Sequence, residues 1–142
     1  MTNNKLIKWL KVIAIIAIIW NLFGVISYLM HAYMSNETLA TLPKNQQEFM
    51  TNLPSWRMAS FAIATFGGLL GSIFLLLKKK IAIPLFILSL IAIIIGNYYD
   101  IFMVNYYKDA DVNGLILPFL ILIFGILFAW YSKKLNTLNI LT

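Results

Sequence analysis

Lysine is placed along this chain in a pattern that fixes how often it can cross a bilayer. Lys5, Lys8 and Lys11 precede the first of four long apolar runs. Lys78, Lys79 and Lys80 separate the second run from the third, and Lys133 and Lys134 follow the fourth. These make up most of the eleven Lys and Arg residues. The other two connections hold all five acidic residues and only Lys44, Arg57 and Lys108. Basic side chains are retained on the cytoplasmic side of a membrane, so the alternation predicts four spans with both termini in the cytoplasm.

The composition agrees with a life in lipid. Of 142 residues, 61% are hydrophobic and 11% charged, against about a quarter charged in a soluble domain. The net charge of +6 forms no stripe and has no aromatic platform beside it, so no nucleic-acid partner is expected. The lysines read instead as topology determinants and contacts for anionic headgroups. There is no cysteine, which excludes disulfides, thiolate catalysis and Cys-based metal sites. A basic start followed by an apolar stretch resembles a signal peptide. However, Val12 to about Met30 is too long, and no small-residue cleavage site closes it. An uncleaved first span is expected.

A helix needs roughly 20 residues to cross the hydrocarbon core. The predicted spans are Val12–Tyr33, Arg57–Leu77, Ile81–Met103 and Gly114–Tyr131, in one transmembrane domain over residues 1–142. The expected fold is an all-α, integral membrane four-helix bundle. Trp9, Trp130 and Tyr131 mark the inner interface, and Tyr33, Trp56, Tyr106 and Tyr107 the outer. Pro84 and Pro118 fall near the starts of their helices, where a missing N–H costs little. In the outer loop, Pro43 and the following "KNQQEFM" either start a short interfacial helix with Phe49 and Met50 dipping into lipid or form a plain ordered loop. Asn21 and Asn97, with the Gly-x-x-Phe pairs at Gly71 and Gly125, suggest two hairpin repeats. Chance similarity between apolar helices explains them as well.

Two stripes of small and polar residues recur at helical spacing. The first is Ala14, Ala17, Asn21, Gly24, Tyr28 and His31. The second is Arg57, Ser60, Ala64, Gly67 and Gly71, with Gly68 and Ser72 as a further small pair. Small residues let helix backbones approach closely in lipid, so spans one and two are expected to pack through these faces. A cavity lined by the same stripe is the functional alternative. At 1.5 Å per residue, Asn21 lies about 15 Å into span one, near the midplane with Trp20, Gly67 and Gly68. Its carboxamide requires a partner: a neighbouring helix, or a polar ligand stacked on the indole. Trp20, Asn21, Gly24 and Tyr28 are therefore the candidate substrate-binding residues.

A second polar group gathers near the outer ends: His31, Arg57, Asn97 and Asp100, beside Tyr98 and Tyr99. Asp100 lies about 28 Å along span three, and an interfacial ion pair with Arg57 would explain both residues. His31 reads as a cap or as a proton relay. No acid sits at midplane depth, no His/Asp/Glu set has metal-ligand spacing, and Gly67 and Gly68 lie within a span and cannot form a phosphate loop. Neither an enzyme, a cofactor nor a metal is expected.

The stretches "IIWNLFGV", "YLMHAYM", "LPSWRMASFAIATFGGLLG" and "IAIPLFILSL" resemble a family of small four-span inner-membrane proteins from Bacteroidetes-type bacteria, whose members often carry the label "sugar transporter". The likeness covers most of spans one to three. It implies a bacterial inner-membrane protein and brings no established binding residues with it. Taken with the Trp20–Asn21 pair, it leads to the expectation of a transporter for sugar-like molecules, acting as a homo-oligomer because four helices give scant walls. The competing expectation is a non-transporting accessory or scaffold protein. A polar cavity reaching Asn21 would favour the first, and a solid core the second.

Overall fold

The computed structural model describes residues 3–108 and 112–142, and these are helical, with no strand among them. Asp109 and Asp111, two of the five acids of the outer connections, lie outside the described residues. Four helices are long and apolar enough to cross a membrane, which points to a multi-pass membrane protein. They are α1 (Asn3–Ala32), α4 (Ser55–Leu76), α5 (Ala82–Tyr98, continued by a π-helical turn Tyr99–Met103) and α6 (Val112–Thr137). Two short helices, α2 (Asn36–Ala40) and α3 (Lys44–Thr51), occupy the loop between α1 and α4.

The helix ends differ from the sequence expectation wherever side chains outside the apolar runs find partners. α1 starts at Asn3, well before Val12, because Leu6 and Leu10 are buried at 3% and 1% exposure. They join Leu75, Ala82, Tyr131, Leu135 and Leu141 in an apolar foot at the lysine-rich end. Tyr131 thus belongs to the interior and not to an aromatic belt: its hydroxyl donates to the Leu6 carbonyl at 2.8 Å. Trp9 and Trp130 remain exposed. At its other end α6 starts at Val112, so Pro118 lies inside the helix and not in its first turn.

Successive long helices run antiparallel, and α4 and α5 are joined by the shortest connection. The α4–α5 turn closes with Lys79 N donating to Phe74 O at 2.8 Å and Lys78 N to Leu75 O at 2.9 Å. Lys78 takes the left-handed conformation at φ 57°, in the position where glycine usually ends a helix. α4 is the central element, packed on α1 along one face and on α5 along another; α5 also packs on α6, while α1 and α6 meet over a short stretch.

The α4 stripe has a different partner from the one expected. Ser60 donates to Ala92 O at 2.8 Å, Ser89 donates to Ala64 O at 2.5 Å, Gly67 abuts Ser89 and Gly71 abuts Phe86. Ser60, Ala64, Gly67 and Gly71 therefore face α5. The face turned to α1 is the one carrying Thr65, Gly68 and Ser72. A helix central to its neighbours needs two close-packing faces, and the extra small pair at Gly68 and Ser72 is the second one. The suggested hairpin repeat finds no counterpart in the packing: Gly71 and Gly125 both pack on α5, and Asn21 and Asn97 sit at different depths with different partners.

Candidate functional site

The midplane of the α1–α4 seam is built around Asn21. Its Nδ2 donates to Ala17 O, one turn back, at 2.8 Å and to Ser72 Oγ on α4 at 3.2 Å. Ser72 is fully buried and passes its own proton to Gly68 O at 2.7 Å. The other end of the carboxamide lies on Gly68, where an added methyl group would collide with Asn21 Oδ1. Buried polar groups in lipid must be satisfied by the protein, and here a serine and a backbone carbonyl do so.

The remaining members of the α1 stripe follow the same seam. Ala14 and Ala17 are completely buried, and Gly24 lies under the Thr65 methyl. Tyr28 meets Phe61 and Phe66 edge-on, with ring centres 5.5 and 5.8 Å apart. Trp20 does not join them. It is half-buried and turned toward α6, where its ring centre lies 4.5 Å from that of Phe124. The expected indole-beside-amide platform is therefore absent, because adjacent residues on a helix diverge by about 100°.

Two apolar grooves lie on peripheral faces among the described residues, and neither is lined by Asn21. One, about 330 Å³, runs along α6 beside Ile116, Phe119 and Ile123. The other, about 260 Å³, lies between α4 and α5 below Trp56.

At the end opposite the lysine clusters the four expected polar residues form a pair and two separate contacts. Arg57 and Asp100 make a two-pronged ion pair, Nε to Oδ1 at 2.9 Å and Nη2 to Oδ2 at 2.6 Å, with side chains only 15% and 8% exposed. The guanidinium lies across Gly96, where a Cβ would come within 3.1 Å of Arg57 Cζ. The π-helical turn, which holds more residues per turn than an α-helix, buries both Tyr99 and Asp100. His31 meets Phe61 edge-on at 5.6 Å, with the Arg57 guanidinium carbon 6.0 Å from the centre of the same ring. Its Nδ1 is 2.8 Å from the Ser27 carbonyl of its own helix. Asn97 turns to α6, donating to Pro118 O at 3.4 Å.

The loop between α1 and α4 is held largely by its own polar contacts. Ser35 Oγ caps α2 by accepting from Thr38 N at 3.1 Å, and Gln47 Nε2 closes the α2–α3 turn on Leu42 O at 2.6 Å. "KNQQEFM" is helical, and Phe49 packs on Tyr106 with ring centres 4.2 Å apart. Tyr106 N donates to Asp100 O at 2.8 Å. Burial pushes the Tyr107 phenol up to about 12, with the Asp100 carboxylate adding to the effect.

Sequence reasoning passed over Ser89 and the foot residues Leu6 and Leu10. Ser89 is a single hydroxyl in an apolar span. The leucines are interleaved with Lys5, Lys8 and Lys11, which mask a helical period continuing before the apolar run. Comparison with protein-family models, with curated proteins and with solved structures finds no match in any of the three.

Proposed function

We propose that this chain is a non-transporting, non-catalytic accessory or scaffold protein of a bacterial inner membrane. In this reading it is a four-helix bundle with both termini in the cytoplasm, and its outer apolar faces pack against the spans of a larger partner. The supporting observation is the state of the interior. Asn21 donates to Ser72 across the α1–α4 seam, Ser60 and Ser89 donate to carbonyls across the α4–α5 seam, and Thr65 and Ser72 donate to carbonyls of their own helix, so these polar groups already have partners within the protein. Lipid-facing rows such as Ile116, Phe119 and Ile123 on α6 remain exposed.

Photo-crosslinking residues placed at Ile116 and Phe119 in native membranes test the reading. Recovery of one other membrane protein is expected, and recovery of self-crosslinks and lipid alone would contradict it.

One observation favours a second reading. α1 and α6 touch over a short stretch, and Trp20 on that seam is half-buried. A homo-oligomeric transporter of sugar-like molecules would run its path there, between helices or between copies, with the Trp20 indole as the stacking surface. Uptake of a sugar panel by proteoliposomes of the pure protein separates the two: stimulated flux abolished by Trp20→Ala supports transport, and flux equal to empty liposomes supports the scaffold.

A further inference from the structure

The lysine-rich end is organised by more than sequence position. Lys5, Lys8, Lys11, Lys78, Lys79, Lys80, Lys133 and Lys134 are all exposed, and main-chain contacts tie their three segments together. The Tyr131–Leu6 bond holds the α1 cluster beside the end of α6 that carries Lys133 and Lys134. Thr142 N donates to Lys78 O at 2.7 Å and Thr142 O accepts from Lys80 N at 3.0 Å, which holds the α4–α5 turn against the segment following α6. Lys79 Nζ also donates to Thr142 Oγ1 at 3.4 Å. The buried foot of Leu6, Leu10, Leu75, Leu135 and Leu141 lies beneath these contacts.

No acidic side chain lies beside these lysines among the described residues. Every acid belongs to the other connections, and among the described residues the salt bridge is that of Arg57 with Asp100 at the opposite end. Within each cluster the lysines are adjacent or three residues apart, closer than one screening length of about 10 Å, so a bound anion relieves repulsion there. Trp9 and Trp130, 49% and 55% exposed, add rings of the kind that settle at the headgroup level.

We propose that this end is a preorganised surface for phospholipids whose headgroups carry two phosphates. A headgroup with one phosphate neutralises one cluster at a time and draws no advantage from clusters held in fixed relation. A headgroup with two tethered phosphates meets the second cluster at high effective concentration once the first is engaged. The fixed relation is the foot's contribution, and the charge is the lysines'. The inference rests on the multi-pass reading and is independent of whether the protein is an accessory or a transporter.

The test uses the purified full chain, delipidated in mild detergent, with melting temperature followed as lipid is added. The additions are phosphatidylcholine, phosphatidylglycerol and diphosphatidylglycerol at matched phosphate, and inorganic pyrophosphate. The diphosphate lipid is expected to half-saturate the shift at about tenfold lower phosphate concentration than phosphatidylglycerol, with little effect of phosphatidylcholine or pyrophosphate. Tyr131→Phe keeps every lysine and is expected to bring the two anionic lipids together. Lys133→Gln with Lys134→Gln, on the exposed face, is expected to do the same without disturbing the foot, and decides the matter if Tyr131→Phe does not fold. Equal half-saturation by the two anionic lipids, or a preference that survives the double lysine variant, would overturn the proposal. A pyrophosphate shift as large as the lipid's would assign a soluble anion and overturn it as well.

Discussion

Asn21 and Gly68 form a matched pair, each shaped by the other. The carboxamide occupies the space a side chain at position 68 would need, and its bond to Ser72 sets the register of α1 on α4. Gly68→Ala should push the amide off Ser72 and destabilise the protein by about 2 kcal/mol, as overpacking does. In an Asn21→Ala background the same change should cost almost nothing, since the colliding group is gone. Unfolding in a denaturing detergent, carried through the double-mutant cycle, checks this. Additive costs would mean that the two residues do not meet. Tyr107 provides a pH test outside the spans. Its phenol is raised from 10.0 to about 12 by burial and then by Asp100. A raised pKa favours the protonated form in the fold, so this stabilisation is complete below about pH 10 and is lost as pH rises through about 12. Phenolate absorbance should show one late-titrating tyrosine that Tyr107→Phe removes, and that variant should lose less stability over the same pH window.

At the scale of elements, spacing disclosed the small-residue faces but not their partners. Two α4 faces lie about 100° apart on one helix, and both read as small and polar. Only packing distinguishes the face bearing Gly67 and Gly71, which meets α5, from the face bearing Gly68 and Ser72, which meets α1. The Arg57–Asp100 pair was within reach of the sequence because depth put both residues at the same end. The π-helical turn that buries Asp100 was not, since nothing in "YYDIFM" departs from ordinary helical composition. Nor was the foot, because Lys5, Lys8 and Lys11, interleaved with Leu6 and Leu10, end the apolar run that defines a span. The ion pair joins the start of α4 to the end of α5, and removing one partner leaves a poorly solvated charge. Arg57→Met alone should cost about 3 kcal/mol. Arg57→Met with Asp100→Leu should cost clearly less, measured by the same detergent unfolding. A double variant as unstable as the single would show that the pair's worth lies in packing around Gly96 and not in charge.

For the whole molecule, the four long helices and the alternation of lysine clusters carry the multi-pass reading, and the packing of α1, α4 and α5 determines what the interior can do. Hydroxyls and an amide that could have lined a path are bonded to carbonyls of their own or a neighbouring helix or to each other. The chain has no native cysteine, so a single introduced thiol reports on that interior without background. Ser72→Cys places a near-isosteric thiol at the completely buried centre, beside Asn21. Reaction with a small, charged, membrane-impermeant thiol reagent, in sealed vesicles of either orientation, is the most direct measurement. A solid interior leaves this thiol unmodified until the protein is denatured, while a thiol at exposed Lys78 reacts from one side at once. Ready modification of Ser72→Cys in the folded protein would mean that water reaches Asn21, and the solid-core scaffold would have to be given up in favour of a solute path.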